Sequence, residues 1–256
     1  MIAIRRKGRT AFIELRRAPV NAIDEAFVDA IAVTLRELRQ DQDPPSVICF
    51  ESNLKVFAAG ADLTFLHSLA ESGQHETALE TYLQKIQQLF AEIETADAIT
   101  VARISGAAMG AGLELALACD LRVTCPSAKF ALPEVGVGLL PAAGGTQRLT
   151  RLCGRGLAMR MICAGDVVKG SEAVASGLAQ YCVDDAELPG FVEVLMERMA
   201  AKPPAALRLA KRCIHSQGTS ADGYADERRA ASDLLGQEDT RALIRAFVER
   251  GGRRAA

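Results

Sequence analysis

Tryptophan is absent from this sequence and tyrosine occurs only three times, so aromatic platforms for stacking bases are scarce. A basic excess is missing as well. Thirty Lys and Arg against 32 Asp and Glu leave a formal net charge of -2, which argues against a nucleic-acid surface. No run of about 18 uncharged apolar residues occurs, so no membrane-spanning helix is expected. The richest segment, Ala107 to Leu121, is broken by Glu114 and Asp120. Met1-Ile2-Ala3-Ile4-Arg5-Arg6-Lys7 carries charge where a secretory signal would be apolar, so a cytoplasmic location is expected. The cysteines (Cys49, Cys119, Cys125, Cys153, Cys163, Cys182, Cys213) form no C-x-x-C pair. Reduced core thiols are expected, rather than a disulfide frame or a zinc site.

Several catalytic signatures are missing too. Gly110-Ala111-Gly112-Leu113-Glu114-Leu115 begins like a dinucleotide fingerprint but lacks its third glycine, and no phosphate-cradling P-loop is present. No G-x-S-x-G elbow occurs. His67, His75 and His215 fall in unrelated contexts and read as surface or packing residues.

What remains is a chain of 256 residues with 49% apolar and 24% charged residues, long enough to bury a core without staples. Ala11 to Leu15, Val47 to Phe50, Ile99 to Ile104, Leu121 to Thr124 and Lys129 to Ala131 read as strands. Helical spacing runs from Phe27 to Leu38 and from Leu79 to Ile93, and a small-residue helix from about Gly110 to Ala118. Gly144-Gly145-Thr146 opens a further helix. Residues 63–76 fit no pattern, and Lys55 to Asp62 reads as a loop. Strand, turn and helix repeat, which predicts an α/β fold. After Lys202 only helical faces remain, from Leu207 through Ile214 to Leu234, Leu243 and Phe247. The expected division is a catalytic core over residues 1–199 and a helical region over 200–256.

Glu114 is the first candidate for chemistry. Its helical neighbours Gly110, Ala111, Leu117 and Ala118 are all apolar. A carboxylate on such a face is costly unless paired or protonated, and desolvation raises its pKa toward the range of a general acid or base. Pairing with an arginine, or a place near the surface, would be the structural alternative. Glu134 stands alone in Leu132-Pro133-Glu134-Val135-Gly136-Val137-Gly138-Leu139-Leu140-Pro141, an apolar, glycine-rich loop suited to a pocket wall. Two carboxylates in apolar settings can divide acid and base roles. The turns at Gly60-Ala61 and Gly110-Ala111 offer unpaired N–H groups for a developing oxyanion, or simply close packing.

Taken together, Phe57-Ala58-Ala59-Gly60-Ala61-Asp62, Gly110-Ala111-Gly112-Leu113-Glu114-Leu115-Ala116 with Cys119-Asp120, and Pro133-Glu134 with Gly138-Leu139-Leu140-Pro141-Ala142-Ala143-Gly144-Gly145-Thr146-Gln147-Arg148-Leu149 resemble the crotonase (enoyl-CoA hydratase/isomerase) superfamily. The resemblance extends to Ala246-Phe247-Val248-Glu249-Arg250. It implies an α/β spiral of β-β-α turns whose C-terminal helices support a homotrimer or a dimer of trimers. It implies an acyl-CoA thioester as substrate, coenzyme A being part of that substrate, with no metal and no redox cofactor.

Carried over by motif, the N–H groups of Ala61 and Ala111 would hold the thioester oxygen. Ala59, Gly60, Asp62, Leu63, Thr64, Gly110, Pro133 and Ala142 would line the CoA and acyl site. Glu114 and Glu134 match the two glutamates of the hydratases. Many hydratases carry glycine where this chain has Ala111 and Ala142; backbone N–H groups suffice there if the added methyls fit. The implied reaction is hydration of a trans-2-enoyl-CoA, with Glu114 activating water and Glu134 delivering the α-proton. Isomerisation of an enoyl-CoA and another crotonase-type lyase reaction on a branched or aromatic acyl group stay open, because this fold hosts many reactions. RNA binding on the same fold is disfavoured by the net charge.

Overall fold

The computed structural model describes residues 1–71, 75–215 and 223–244. The first half runs β1 (Ile2–Lys7), β2 (Thr10–Leu15), β3 (Ala22–Ile23), α1 (Glu25–Gln40), β4 (Val47–Ser52), β5 (Val56–Ala58), β6 (Gly60–Ala61), α2 (Leu63–Glu71), α3 (His75–Glu94), β7 (Ile99–Ile104), β8 (Ala107–Met109) and α4 (Ala111–Ala118). Then come β9 (Leu121–Thr124), β10 (Lys129–Ala131), a 3-10 helix (Glu134–Val137), α5 (Gly145–Cys163), β11 (Val168–Lys169), α6 (Gly170–Ala175), β12 (Tyr181–Cys182), α7 (Leu188–Ala200), α8 (Pro204–His215) and α9 (Gly223–Gly236).

The order of the strands in their sheets shows how the chain winds. One sheet runs β1-β2-β4-β7-β9-β12, parallel apart from the β1–β2 pair. A second runs β11-β10-β8-β5, parallel apart from β10–β11. Successive turns therefore each lay one strand in the first sheet (β4, β7, β9) and the next in the second (β5, β8, β10), then return through a helix. The result is a spiral of β-β-α turns. Stacked turns approach closely at their corners. A Cβ on Gly106, between β7 and β8, would lie 2.1 Å from the Lys55 carbonyl oxygen of the turn beneath, so only glycine fits. β3 and β6 form a separate two-stranded parallel pair.

The core follows from composition. Every residue of β4 is buried, as expected of a strand covered on both faces. Every residue of α4 is buried as well, because a helix without a polar stripe can only be an interior one. Glu114 is the one charged side chain on it. The long helix α3 is held to α1 by Lys85, which reaches Glu25 at 2.5 Å and Asp29 at 3.3 Å.

Several expectations need correction. Residues 2–7 form an edge strand, hidden in the sequence by Arg5, Arg6 and Lys7, charges that suit a sheet edge open to water. Residues 63–71 are helical, because Asp62 caps them: its carboxylate accepts the N–H groups of Thr64 (3.0 Å) and Phe65 (3.1 Å). The Lys55 to Asp62 stretch holds β5 and β6 rather than a plain loop. Cys49, Cys119 and Cys125 are core thiols, but Cys163, at the end of α5, is exposed, and Cys153, Cys182 and Cys213 are half-buried. His67 is exposed, as expected. His215 is exposed too, but its Nε2 lies 2.9 Å from Asp120 Oδ1. The His75 side chain and the Ala246 to Arg250 motif lie outside the described residues. Among those residues no helix is long and apolar enough to cross a membrane.

Helix α8 is pinned to the core by a buried charge. Lys211 Nζ sits 2.8 Å from Asp120 Oδ2 and donates to the Ala98 carbonyl at 3.0 Å. Thr100 gives Asp120 two further hydrogen bonds, from its N–H (2.7 Å) and its hydroxyl (3.0 Å). Burial alone would raise the Asp120 carboxyl, but the His215 and Lys211 contacts outweigh it and hold the group below its ordinary value. Its contribution to stability is therefore present above the unfolded pKa and is lost as pH falls through the lower folded one. Lys211→Met should destabilise the protein by about 3 kcal/mol, the low end for breaking a buried pair, as read by urea unfolding at pH 7. An unchanged midpoint would contradict this account of the α8 anchor.

Candidate active site

Two short segments cross to make a corner. Asp62 donates its N–H to the Ile23 carbonyl at 2.9 Å. Successive N–H groups of an extended strand point to opposite sides, so the N–H of Ala61 is turned away from β3. On that side, Gly60 packs on the turn from β8 into α4. A Cβ on Gly60 would stand 3.0 Å from the Met109 oxygen and 3.6 Å from the Ala111 nitrogen, and its φ is +108°. Gly110, also at positive φ (+50°), donates to the Ala131 carbonyl at 3.0 Å and leads into the helix. Ala111 is the first residue of α4, where an N–H has no acceptor within the helix and the dipole favours negative charge. The structure thus brings together the two segments that carry Ala61 and Ala111.

The two carboxylates flank this corner. Glu114, one turn into α4, is 2% exposed. Its Oε1 accepts N–H groups from Ala143 (2.9 Å) and Gly145 (2.7 Å). Burial pushes its pKa up to about 7. The Gly145 bond opposes this, the Glu134 charge adds to it, and the Ala143 bond and Arg148 oppose it further. Glu134 opens the 3-10 helix and reaches over the Gly110 turn, where a Cβ on Gly110 would lie 3.0 Å from its Oε1. Burial raises its pKa too. Among the described residues, Glu134 Oε2 is buried without a hydrogen-bond partner. Buried polar groups are nearly always partnered, so this oxygen is available to a reacting molecule. Two carboxylates with raised pKa beside oriented N–H groups can move protons while stabilising a developing oxyanion.

The other candidate residues frame the approach. Ala59 and Thr64 are exposed, Gly60 is buried, and Leu63 is 62% exposed at the start of α2. The Asp62 side chain is engaged elsewhere, with the α2 cap and with Arg17 at 3.0 Å. The Phe65 N–H, above all, lowers its pKa. Pro133 is exposed just ahead of Glu134. Ala142 is half-buried, and its carbonyl accepts from Gln87 Nε2 at 2.6 Å. Val135, Val137, Leu139 and Leu140 are exposed beyond Glu134, forming an apolar strip beside it. No cluster of three His, Cys, Asp or Glu side chains suited to a metal ion occurs among the described residues.

Two contributors escaped sequence reading. The first is the N–H pair of Ala143 and Gly145, the partner of Glu114 in place of an arginine. Its signal was Gly144-Gly145 ahead of a helical run, since Gly145 is the first residue of α5. The second is Tyr82, buried on α3, whose hydroxyl donates to the Ile23 carbonyl at 2.9 Å. That carbonyl also receives Asp62, so Tyr82 ties α3 to the strand carrying Ala61. Burial, with the charges of Asp24, Glu114 and Asp62, holds its hydroxyl well above the ordinary tyrosine range.

Comparison with known proteins identifies the family and the fold. A family model described as enoyl-CoA hydratase/isomerase matches residues 5–254. The 2,3-dehydroadipyl-CoA hydratase of Escherichia coli is 32% identical over 252 residues, covering 97% of this chain and 96% of that protein. The human enoyl-CoA hydratase domain-containing protein 2, mitochondrial, is 36% identical over 252 residues, covering 95% and 84%. Among solved structures, DspI of Pseudomonas aeruginosa superposes with a TM-score of 0.89 at 34% identity, covering 97% of this chain and 94% of that one.

The Glu114 cradle can be tested without any substrate. Gly145→Ala should help a helix on propensity alone, by roughly 0.5–1 kcal/mol. Here the new methyl would sit 2.8 Å from Glu114 Oε1 and 3.0 Å from Pro141 Cβ. Crowding of this kind costs about 1–3 kcal/mol, so the melting temperature should fall. A rise would show that Glu114 is not seated against this glycine.

Proposed function

The chain belongs to the enoyl-CoA hydratase/isomerase family, and on that footing we propose that it adds water across the double bond of a trans-2-enoyl-CoA to give a 3-hydroxyacyl-CoA. The observation that carries this reading is the placing of two carboxylates beside the turns that carry Ala61 and Ala111: Glu114, buried on α4 and seated on two N–H groups, and Glu134, reaching over the Gly110 turn. A single carboxylate would suffice to shuttle a proton in an isomerisation. Two of them, one with an unpartnered oxygen, suit a reaction that must take one proton from water and give another to carbon.

In the proposed reaction the thioester oxygen accepts hydrogen bonds from Ala61 and Ala111. This polarises the conjugated system and stabilises the enolate oxygen as negative charge reaches it. Glu114, ionised, takes a proton from water as the hydroxyl oxygen bonds to the β-carbon and the double bond moves toward the carbonyl. Glu134, protonated, gives its proton to the α-carbon as the enolate collapses. Water's oxygen and one hydrogen equivalent on each side are accounted for. Exchange with solvent returns the proton from Glu114 to Glu134. Burial raises both carboxyls, Glu114 to about 7, which brings proton uptake and release toward neutral pH.

The CoA and acyl portions would run along Ala59, Gly60, Asp62, Leu63 and Thr64 on one side, and along Gly110, Pro133 and Ala142 on the other. The Leu63 side chain and the apolar strip beyond Glu134 support an acyl end in this direction. The region from residue 200 onward would support a homotrimer or a dimer of trimers. Exposed Ile214, Leu235, Leu243 and Ile244 favour such an assembly.

Glu114→Gln and Glu134→Gln keep shape and remove the group that takes or gives a proton. Each should lower hydration of crotonyl-CoA by about 10²–10⁴, the usual range for one general acid or base. The double variant should lose far less than the product of the two, because groups acting as a unit are not additive. The assay is loss of absorbance of the conjugated thioester. Full hydration by a folded Glu134→Gln protein would remove the two-carboxylate mechanism.

A further inference from the structure

A buried arginine lies beside the site without a place in the reaction. Arg148, in the first turns of α5, is 9% exposed. Its Nε and Nη2 contact Glu94 Oε2 at 2.9 and 2.8 Å. Its Nη1 donates to the Ala143 carbonyl at 3.0 Å. Its own N–H closes on the Gly144 carbonyl at 2.8 Å. Gly144 adopts φ +106°, and a Cβ there would lie 2.2 Å from Arg148 Nη1. The guanidinium therefore fills the space a side chain at 144 would need, and it grips the turn from within.

That turn supplies the two N–H groups on which Glu114 rests. We propose that Arg148, anchored by Glu94, is a positioning residue that fixes the Ala143–Gly145 turn and, through it, the orientation and basicity of Glu114. Desolvated ion pairs add little stability over apolar packing of the same volume, so stability alone does not account for this one. Its third nitrogen goes to the carbonyl of a residue whose N–H holds Glu114. Glu94 lies two helical turns along α3 from Gln87, on the same face. Gln87 grips the adjoining Ala142 carbonyl. One face of α3 thus braces the whole segment 142–148.

The brace and a simple field effect make opposite predictions. The titratable and charged groups acting on Glu114 are Glu134 from the 3-10 helix, Arg148 from α5 and Tyr82 from α3. If Arg148 acted only by its charge, Glu94→Gln would leave that charge less neutralised and pull Glu114 down. If it acts as a brace, Glu94→Gln frees the guanidinium, the turn loosens, the N–H bonds weaken and burial drives Glu114 up. Arg148→Lys separates the two again, because it keeps the charge and loses the fork.

The role in catalysis rests on the hydration reading, but the brace can be tested apart from it. Glutamate carboxyls are labelled with carbon-13, the Glu114 resonance is identified by Glu114→Gln, and the full-length protein is titrated without substrate. Wild type, Glu94→Gln and Arg148→Lys are compared. An upward shift of about one unit in both variants is expected, equivalent to weakening one hydrogen bond to a charged group.

Crotonyl-CoA hydration is then measured at neutral pH. A fall in kcat of about tenfold is expected, with KM changed less than about twofold, as befits an effect on the base rather than on binding. Folded variants in which Glu114 titrates as in wild type, or lower, overturn the brace. If Arg148→Lys fails to fold, Glu94→Gln decides alone, since Glu94 is the more exposed partner. A wild-type protein that hydrates nothing refutes the functional reading and leaves the titration to judge the brace.

Discussion

A carboxylate buried on an apolar helix is the constraint around which this molecule is arranged. Glu114 is one turn from the start of a helix with no other charged group and no solvated face. Such a group is tolerated only if donors meet it or if it holds a proton. Here both hold in part. Two N–H groups of the turn into α5 lower the cost, and burial raises the carboxyl pKa to about 7. The surrounding elements follow from that arrangement. The turn that offers the N–H groups must be tight, so it contains Gly144 at positive φ. It must also be held, so Arg148 and Glu94 bind it to α3.

The spiral makes the arrangement possible. Each winding returns its second strand to the same sheet, so the starts of successive helices and loops stack at one end. That stacking sets Gly60 against the turn into α4 and sets Glu134 above Gly110. Helix α3 then joins the two halves of the corner. Tyr82 reaches the carbonyl that orders the Ala61 strand, while Gln87 and Glu94 secure the segment below Glu114. The strand that carries Ala61 and the turn beneath Glu114 are thereby tied to one helix.

Much of this was legible in the sequence. Glu114 announced itself by the apolar character of its helical neighbours, and Glu134 by its isolation among valines, leucines and glycines. The buried strands at Val47 to Phe50 and Ile99 to Ile104 were plain as short apolar runs. The family motifs then ordered these pieces into a spiral, and the fold bears that out. What was not legible depends on distant or backbone partners. The donors to Glu114 come 29 and 31 residues later and are main-chain groups, which no side-chain pattern records. Strand β1 was masked because its outward residues are arginines and a lysine. Helix α2 was missed because Asp62 read as part of a loop, although an aspartate at that place is also a helix cap.

The central claim is that this corner adds water across a conjugated double bond, one carboxylate taking a proton from the water and the other giving one to the α-carbon. Its most direct test is to run the reaction with crotonyl-CoA in water enriched in both oxygen-18 and deuterium, and to analyse the product by mass spectrometry and proton NMR. The account predicts a 3-hydroxybutyryl-CoA with one solvent oxygen at the β-carbon and one deuterium at the α-carbon, delivered to a single face. Deuterium exchange into recovered or rearranged enoyl-CoA with no oxygen-18 incorporated would contradict it, and would leave this corner with a one-carboxylate proton shuttle instead.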